Sequence, residues 1–199
     1  MNGQKQSLEI IVQNDNSDLT VPVTTKLVLV DVPSSHWARN VIDRLVTKGI
    51  IKGFQGGTFK PESLVTREQF VTMLVQAKNL EGFEVKTIFT DVPEGHWSAR
   101  YVSAAVSSGI LIPREYGGHF RGTNPISREE STVLLARALK LKGDSWGIVF
   151  KDKRSIKNRF LIGAAVKAQI INGFPDQTFR PKESLTRAQA AQLINKLIP

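Results

Sequence analysis

Apolar residues fall at Val41, Ile42, Leu45 and Val46, the spacing of one buried helical face, and Gly49 follows them as a C-terminal cap. The same face returns as Tyr101, Val102, Ala105 and Val106, and again as Leu161, Ile162, Ala165 and Val166. A second helix buries Phe70, Met73, Leu74 and Ala77, with Ala190, Leu193, Ile194 and Leu197 as its later counterpart. Each second helix opens on a capping box: Thr66-Arg67-Glu68-Gln69, Ser127-Arg128-Glu129-Glu130 and Thr186-Arg187-Ala188-Gln189. The Thr or Ser hydroxyl accepts from the third helical N–H, and the Gln or Glu reaches back to the cap. Each copy therefore reads as helix, short strand or turn, helix.

The landmarks recur with a period of about 60 residues, which sets the architecture before single elements are assigned. Asp31-Val32-Pro33 with His36-Trp37 returns as Asp91-Val92-Pro93 with His96-Trp97; a third copy opens at Phe150-Lys151-Asp152 without the Pro or the Trp. One helix pair cannot bury its own apolar face, whereas three in one chain close around a common core with pseudo-threefold symmetry. The expected class is mainly α, with helix–loop–helix copies at 29–86, 87–146 and 147–199. Residues 1–28 lie outside the repeat. Leu8 to Gln13 and Leu19 to Val30 read as strands around an Asn/Asp-rich turn, the tail of a preceding domain or a short docking strand.

With 199 residues, 41% of them apolar, the chain can bury a real core. The net charge of +9 favours polyanions: nucleic acid, anionic lipid or acidic polysaccharide. The absence of cysteine excludes disulfides, Cys-based zinc sites and thiol nucleophiles. Apolar runs stay far below the roughly 20 residues of a spanning helix, so no membrane insertion is expected. The opening residues lack the features of a signal peptide, which leaves a cytosolic protein or a mature or excised piece of an exported one. Basic residues are spread along the chain, with no dense stripe beyond Lys151 to Arg154, against nucleic-acid binding. No HExxH, P-loop or GxSxG pattern occurs, and the acidic residues recur as repeat positions or scatter, so no enzyme, metal or cofactor is expected.

The capping boxes leave one residue unexplained. A cation in the first turn faces the positive end of the helix dipole, at a cost of a few tenths of a kcal/mol. Arg67, Arg128 and Arg187 repeat that placement three times, which points to an anion beside each, from the protein or from a ligand.

With these motifs the chain resembles the S-layer homology (SLH) family, whose repeats open near a DV…HWA segment and end near a TRAE-like tetrapeptide. The resemblance covers about residues 29 to 198 and implies a three-pronged spindle around a central three-helix bundle. It also implies a secreted, cell-surface module that anchors non-covalently to the wall through anionic secondary cell-wall polysaccharide, often pyruvylated, held in grooves between repeats. Peptidoglycan binding and S-layer self-assembly are the alternatives, a polysaccharide-degrading enzyme fragment a lesser one. A pseudo-trimer within one chain would be a monomer.

Carried over residue by residue, the resemblance assigns carbohydrate binding to Asp31, Trp37, Gly53, Arg67, Asp91, Trp97, Arg128, Asp152, Gly173 and Arg187. Pro113 replaces the glycine in the second copy, and Lys157 or Asn158 stands where the third copy should carry Trp. An Arg fork suits a carboxylate, helix-start amides left free by the cap could add to it, and a Trp face covers a sugar ring. Structural roles compete at each position. The aspartates could cap turns, the tryptophans could be packing staples, and the arginines could pair with an internal carboxylate. For His36 and His96 the structural role is preferred.

Overall fold

The computed structural model describes residues 29–144 and 149–198. Six α-helices are present among them: α1 Arg39–Thr47, α2 Arg67–Ala77, α3 Ala99–Ser107, α4 Arg128–Ala138, α5 Arg159–Lys167 and α6 Arg187–Asn195. Short 3-10 turns occupy Pro113–Glu115 and Lys153–Ser155, and the described residues contain isolated β-bridges but no strand. The N-terminal strand expectation falls almost wholly outside the described residues.

The capping-box helices α2, α4 and α6 touch one another pairwise and form the central three-helix bundle. A helix at that position is enclosed on nearly every side, so α4 buries Ser131, Thr132, Val133, Leu134, Leu135, Ala136 and Ala138. In α6 the small residues Ala188, Ala190 and Ala191 allow the close approach. Just before the three caps, Val65 N–H donates to Leu185 O (2.9 Å), Leu185 N–H to Ile126 O (3.2 Å) and Ile126 N–H to Val65 O (3.0 Å). This closed backbone ring at the pseudo-threefold axis is buried on all three sides.

The outer helices are interleaved. The first helix of each copy packs on the second helix of the preceding copy: α3 on α2, α5 on α4, and α1 on α6, which closes the circle. The helix pair read from each copy is therefore not the packing unit. Bonds at the start of the outer helices specify the swap: Glu129 Oε1 in α4 accepts from Lys157 N–H (2.7 Å) and Asn158 N–H (2.6 Å), the residues that lead into α5. Ile42 and Leu45 of α1 are fully buried, as their spacing predicts, while Val41 and Val46 pack at the margin. Gly49 and Gly109 end α1 and α3 in the left-handed region at φ +69° and +70°; at the third such position Gln169 adopts φ +56°.

Candidate functional site

Three equivalent peptides carry the site. Phe59, Phe120 and Phe179 are completely buried, and the residue after each, Lys60, Arg121 or Arg180, is held at a φ of 58°, 51° or 56°. That conformation turns two successive amides toward one carboxylate. Asp31 accepts from Phe59 N–H (2.7 Å) and Lys60 N–H (2.6 Å), Asp91 from Phe120 (2.8 Å) and Arg121 (2.7 Å), and Asp152 from Phe179 (2.8 Å) and Arg180 (2.7 Å). Each aspartate thus clasps the loop of its own copy. For Asp91, burial pushes its pKa up, but the bonds from Arg121 and Phe120 outweigh this and hold it below the usual carboxylate range.

The carbonyl side of the same peptides is bound by the arginines of the preceding copy. Arg67 Nη1 donates to Phe120 O (2.7 Å), Arg128 Nε to Phe179 O (2.9 Å) and Arg187 Nε to Phe59 O (2.9 Å). Second carbonyls come from Arg121 (2.8 Å), Asn172 (2.5 Å) and Lys52 (3.1 Å). Each guanidinium also lies over an aromatic ring at a repeating position: Arg67 over Tyr116 at 5.5 Å, Arg128 over Phe174 at 4.9 Å and Arg187 over Phe54 at 4.8 Å. A first-turn arginine is stable here because carbonyl oxygens and ring faces surround it.

The helix-start amides do not await a ligand. Arg67 N–H donates to Asn124 O (2.9 Å), Glu68 N–H to Gly122 O (3.0 Å) and Gln69 N–H to Thr66 Oγ1 (3.3 Å). The same three donors are bonded at the start of α4 and of α6. The expectation that free amides assist anion binding is corrected: turn carbonyls of the next copy occupy them. The capping boxes need one correction as well. Thr66/Gln69 and Thr186/Gln189 form complete boxes, but Glu130 reaches away from its cap. Its carboxylate takes Arg67 Nε at 2.6 Å, Arg67 Nη2 at 3.1 Å and the Tyr116 hydroxyl at 2.8 Å.

The three arginines therefore sit in different surroundings. Arg67 has an internal carboxylate. Among the described residues, Arg128 and Arg187 have none within ion-pair distance. Arg187 is only 4% exposed, and burial lowers its pKa to about 10 against the raising effect of Asp31. Burial likewise lowers the pKa of Arg128, which keeps partial exposure, and both remain cations at neutral pH.

Trp37 and Trp97 are 59% and 52% exposed, which sets them apart from core staples; Trp37 stacks on His36, and Trp97 lies tilted against His96. His36 and His96 accept at Nδ1 from the backbone two residues on, a structural role as expected. Trp37 shares a groove of about 190 Å³ with Arg128, Asn172, Gln189 and Gln192. The groove is thus assembled from all three copies, and Trp37 meets the arginine of the second copy, not of its own. Counting back from the residues that precede α1, α3 and α5 (Ala38, Ser98, Asn158) places Lys157 where Trp37 and Trp97 stand. A larger concavity, about 460 Å³ near Lys48, Phe83, Arg100 and Tyr101, contains none of the residues expected to bind.

Gly53 and Gly173 are required by close approach. A Cβ on Gly53 would lie 2.8 Å from Thr58 O, and one on Gly173 2.4 Å from the Phe150 ring. Pro113 instead opens the 3-10 turn that delivers Tyr116. Residue types alone give Gln189 and Glu130 a capping role and leave Phe54, Tyr116, Phe174 and Gln192 without one. The aromatic trio recurs in register, and Glu130 is the one acid among three equivalent cap partners, so both signals were present.

A sequence model described as S-layer homology domain matches residues 30–71, 88–130 and 150–191. The chain is 33% identical over 170 residues to an amylopullulanase of Thermoanaerobacterium thermosulfurigenes, covering 82% of this chain and 9% of that protein. It is 33% identical over 171 residues to the S-layer protein sap of Bacillus anthracis, covering 83% of this chain and 20% of that protein. To a cellulosome-anchoring protein of Acetivibrio thermocellus it is 29% identical over 159 residues, covering 73% of this chain and 34% of that protein. The chain spans a minor part of the length of each of these relatives.

Proposed function

Because the chain belongs to the S-layer homology domain family, a cell-surface anchoring fold, we propose that it holds its protein to the wall by binding an acidic, pyruvylated secondary polysaccharide in grooves between repeats. The observation that carries this reading is the groove of Trp37 and Arg128. There a cation whose hydrogen bonds among the described residues go to carbonyls stands in one concavity with an exposed indole face and two glutamine side chains. A pyruvate ketal presents a carboxylate on a pyranose ring. The guanidinium donors not committed to Phe179 and Asn172 pair with the carboxylate, Trp37 covers the apolar ring face, and Gln189 and Gln192 meet hydroxyls.

Retention by this route is non-covalent. The net charge of +9 concentrates an acidic polymer near the surface, and engagement of a second groove would raise avidity by roughly 10²–10⁴-fold. The carboxylates of Asp31, Asp91, Asp152, Glu129 and Glu130 are all bonded within the fold, which supports a binding role over a hydrolytic one.

The deciding experiment is sedimentation with purified wall sacculi before and after hydrofluoric acid strips the secondary polysaccharide. Binding is expected to disappear with the polymer and to be lost in a folded Arg128→Ala variant. Binding that survives stripping would overturn the reading in favour of peptidoglycan.

A further inference from the structure

By repeat equivalence the counterpart of the Trp37 and Arg128 groove at Arg67, here the Arg67 groove, differs from the places around Arg128 and Arg187 in three ways at once. Its cap-partner position holds Glu130 where Gln69 and Gln189 stand; its ring position holds Tyr116 where Phe54 and Phe174 stand; and its tryptophan position holds Lys157. Glu130 gives up the cap that both glutamines make and forms instead a two-point ion pair with Arg67, at 2.6 and 3.1 Å. The Tyr116 hydroxyl, absent from phenylalanine, supplies a third bond to the same carboxylate at 2.8 Å. Burial and the charge of Glu130 raise the Tyr116 pKa, so it remains a donor. The pair is largely enclosed, with side-chain exposures of 15% and 19%.

With Phe120 O and Arg121 O on Nη1, every nitrogen of the Arg67 guanidinium has an acceptor. An external carboxylate would have to displace two charge-assisted bonds and the tyrosine bond, against a competitor held in place by the chain itself. From this we propose that Glu130 is a built-in occupant of the Arg67 groove: with Tyr116 it fills the place a sugar carboxylate would take and determines which grooves of the module accept acidic ligand. This rests on the reading of the arginine grooves as carboxylate sites. The pairing agrees, since Glu130 neutralises the Arg67 guanidinium while Arg128 remains a cation without an ion pair among the described residues.

The test follows the Arg Nε–H signals of the intact ¹⁵N-labelled chain by NMR, titrated with the methyl glycoside of a hexose carrying a 4,6-pyruvate ketal. In the unaltered protein the Arg128 signal should move and the Arg67 signal stay in place. In Glu130→Gln/Tyr116→Phe, which installs the residues of the other two copies, the Arg67 signal should titrate too. Glu130→Gln alone gives the same readout should the double variant not fold, because Gln rebuilds the cap that Gln69 and Gln189 make. The proposal is overturned if Arg67 titrates in the unaltered protein as readily as Arg128, or if it stays silent in the folded variant whatever Arg128 does. Silence of Arg128 alone, with Arg67 responding in the variant, refutes the assignment of the Arg128 groove and leaves the role of Glu130 standing.

Discussion

Arg187 Nε donates to the carbonyl of Phe59 at 2.9 Å, across 128 positions of sequence, and so ties the last copy to the first. The seating of α1 on α6, the contact of α6 with α2 and the bond from Val65 N–H to Leu185 O close the same circle.

Removal of that link should cost stability before it costs binding. In Arg187→Ala the carbonyls of Phe59 and Lys52 lose their donor inside the protein, a loss of about 2–4 kcal/mol. Lysine should recover little, because its ammonium cannot reproduce the planar fork over Phe54 and Phe59. Urea unfolding followed by circular dichroism measures both; a variant as stable as the parent would show that the Arg187 side chain is dispensable to the closure.

The partly exposed Arg128 should separate the two properties. Arg128→Ala should lower stability by only about 1–2 kcal/mol, since solvent can reach the freed carbonyl of Asn172, while polysaccharide binding is lost. A variant that unfolds instead would assign Arg128 to the fold alone.

Acid should loosen the loops through the aspartates. The folded-state pKa of Asp91 lies below its ordinary value of 3.8, so the stability it contributes is present above about pH 4 and is lost as pH falls through the lowered pKa. Glu68 has the opposite sign. Burial, opposed by His96 and Ser98, raises its pKa above 4.5, so its favourable contribution is present at low pH and fades as pH rises through the raised value. Asp91→Asn should therefore flatten the acid limb of the stability curve, and Glu68→Gln should raise stability at neutral pH relative to pH 4. Midpoints of thermal unfolding from pH 3 to 7 give both slopes, and parallel curves for parent and variants would refute the assignment.

The left-handed residue after α5 offers a stabilising substitution. Gln169 adopts φ +56° where the first two copies use Gly49 and Gly109, and the left-handed conformation costs an L-residue about 1–2 kcal/mol. Gln169→Gly recovers this less the entropy of a freer unfolded chain, for a net gain of about 0.5–1 kcal/mol. A lowered denaturation midpoint would contradict it.

Which of these features a sequence displays depends on the kind of interaction. The helix faces of Ile42, Leu45, Phe70 and Leu74 follow from spacing, and the caps at Thr66 and Thr186 from residue type, because both are local. The seating of α1 on α6 is not local: a repeat period is the same whether a helix packs on its own copy or on its neighbour. The partners of Arg128 and Arg187 are backbone carbonyls, which every residue possesses and no residue type marks. Residue type assigns Glu130 to the cap, yet the same side chain satisfies either a cap or an ion pair, and the position of Arg67 decides between them.

The tryptophans are the positions where binding and folding part most cleanly. Trp37 is 59% exposed, so Trp37→Ala removes little buried area and should change stability by no more than about 0.5 kcal/mol. It lines the groove of Arg128, and loss of an aromatic anchor at the centre of a site costs about 2 kcal/mol or more, roughly a thirtyfold loss of affinity for the polysaccharide. The third copy provides the converse case. Lys157, at the equivalent of the tryptophan position, has no aromatic face to offer, and Glu130 already pairs with Arg67, so Lys157→Ala should leave polysaccharide affinity within a factor of about two. Calorimetric titration of both variants with purified wall polymer makes the comparison; equal losses would mean that general charge and hydrophobicity, and not the groove of Trp37 and Arg128, hold the polymer.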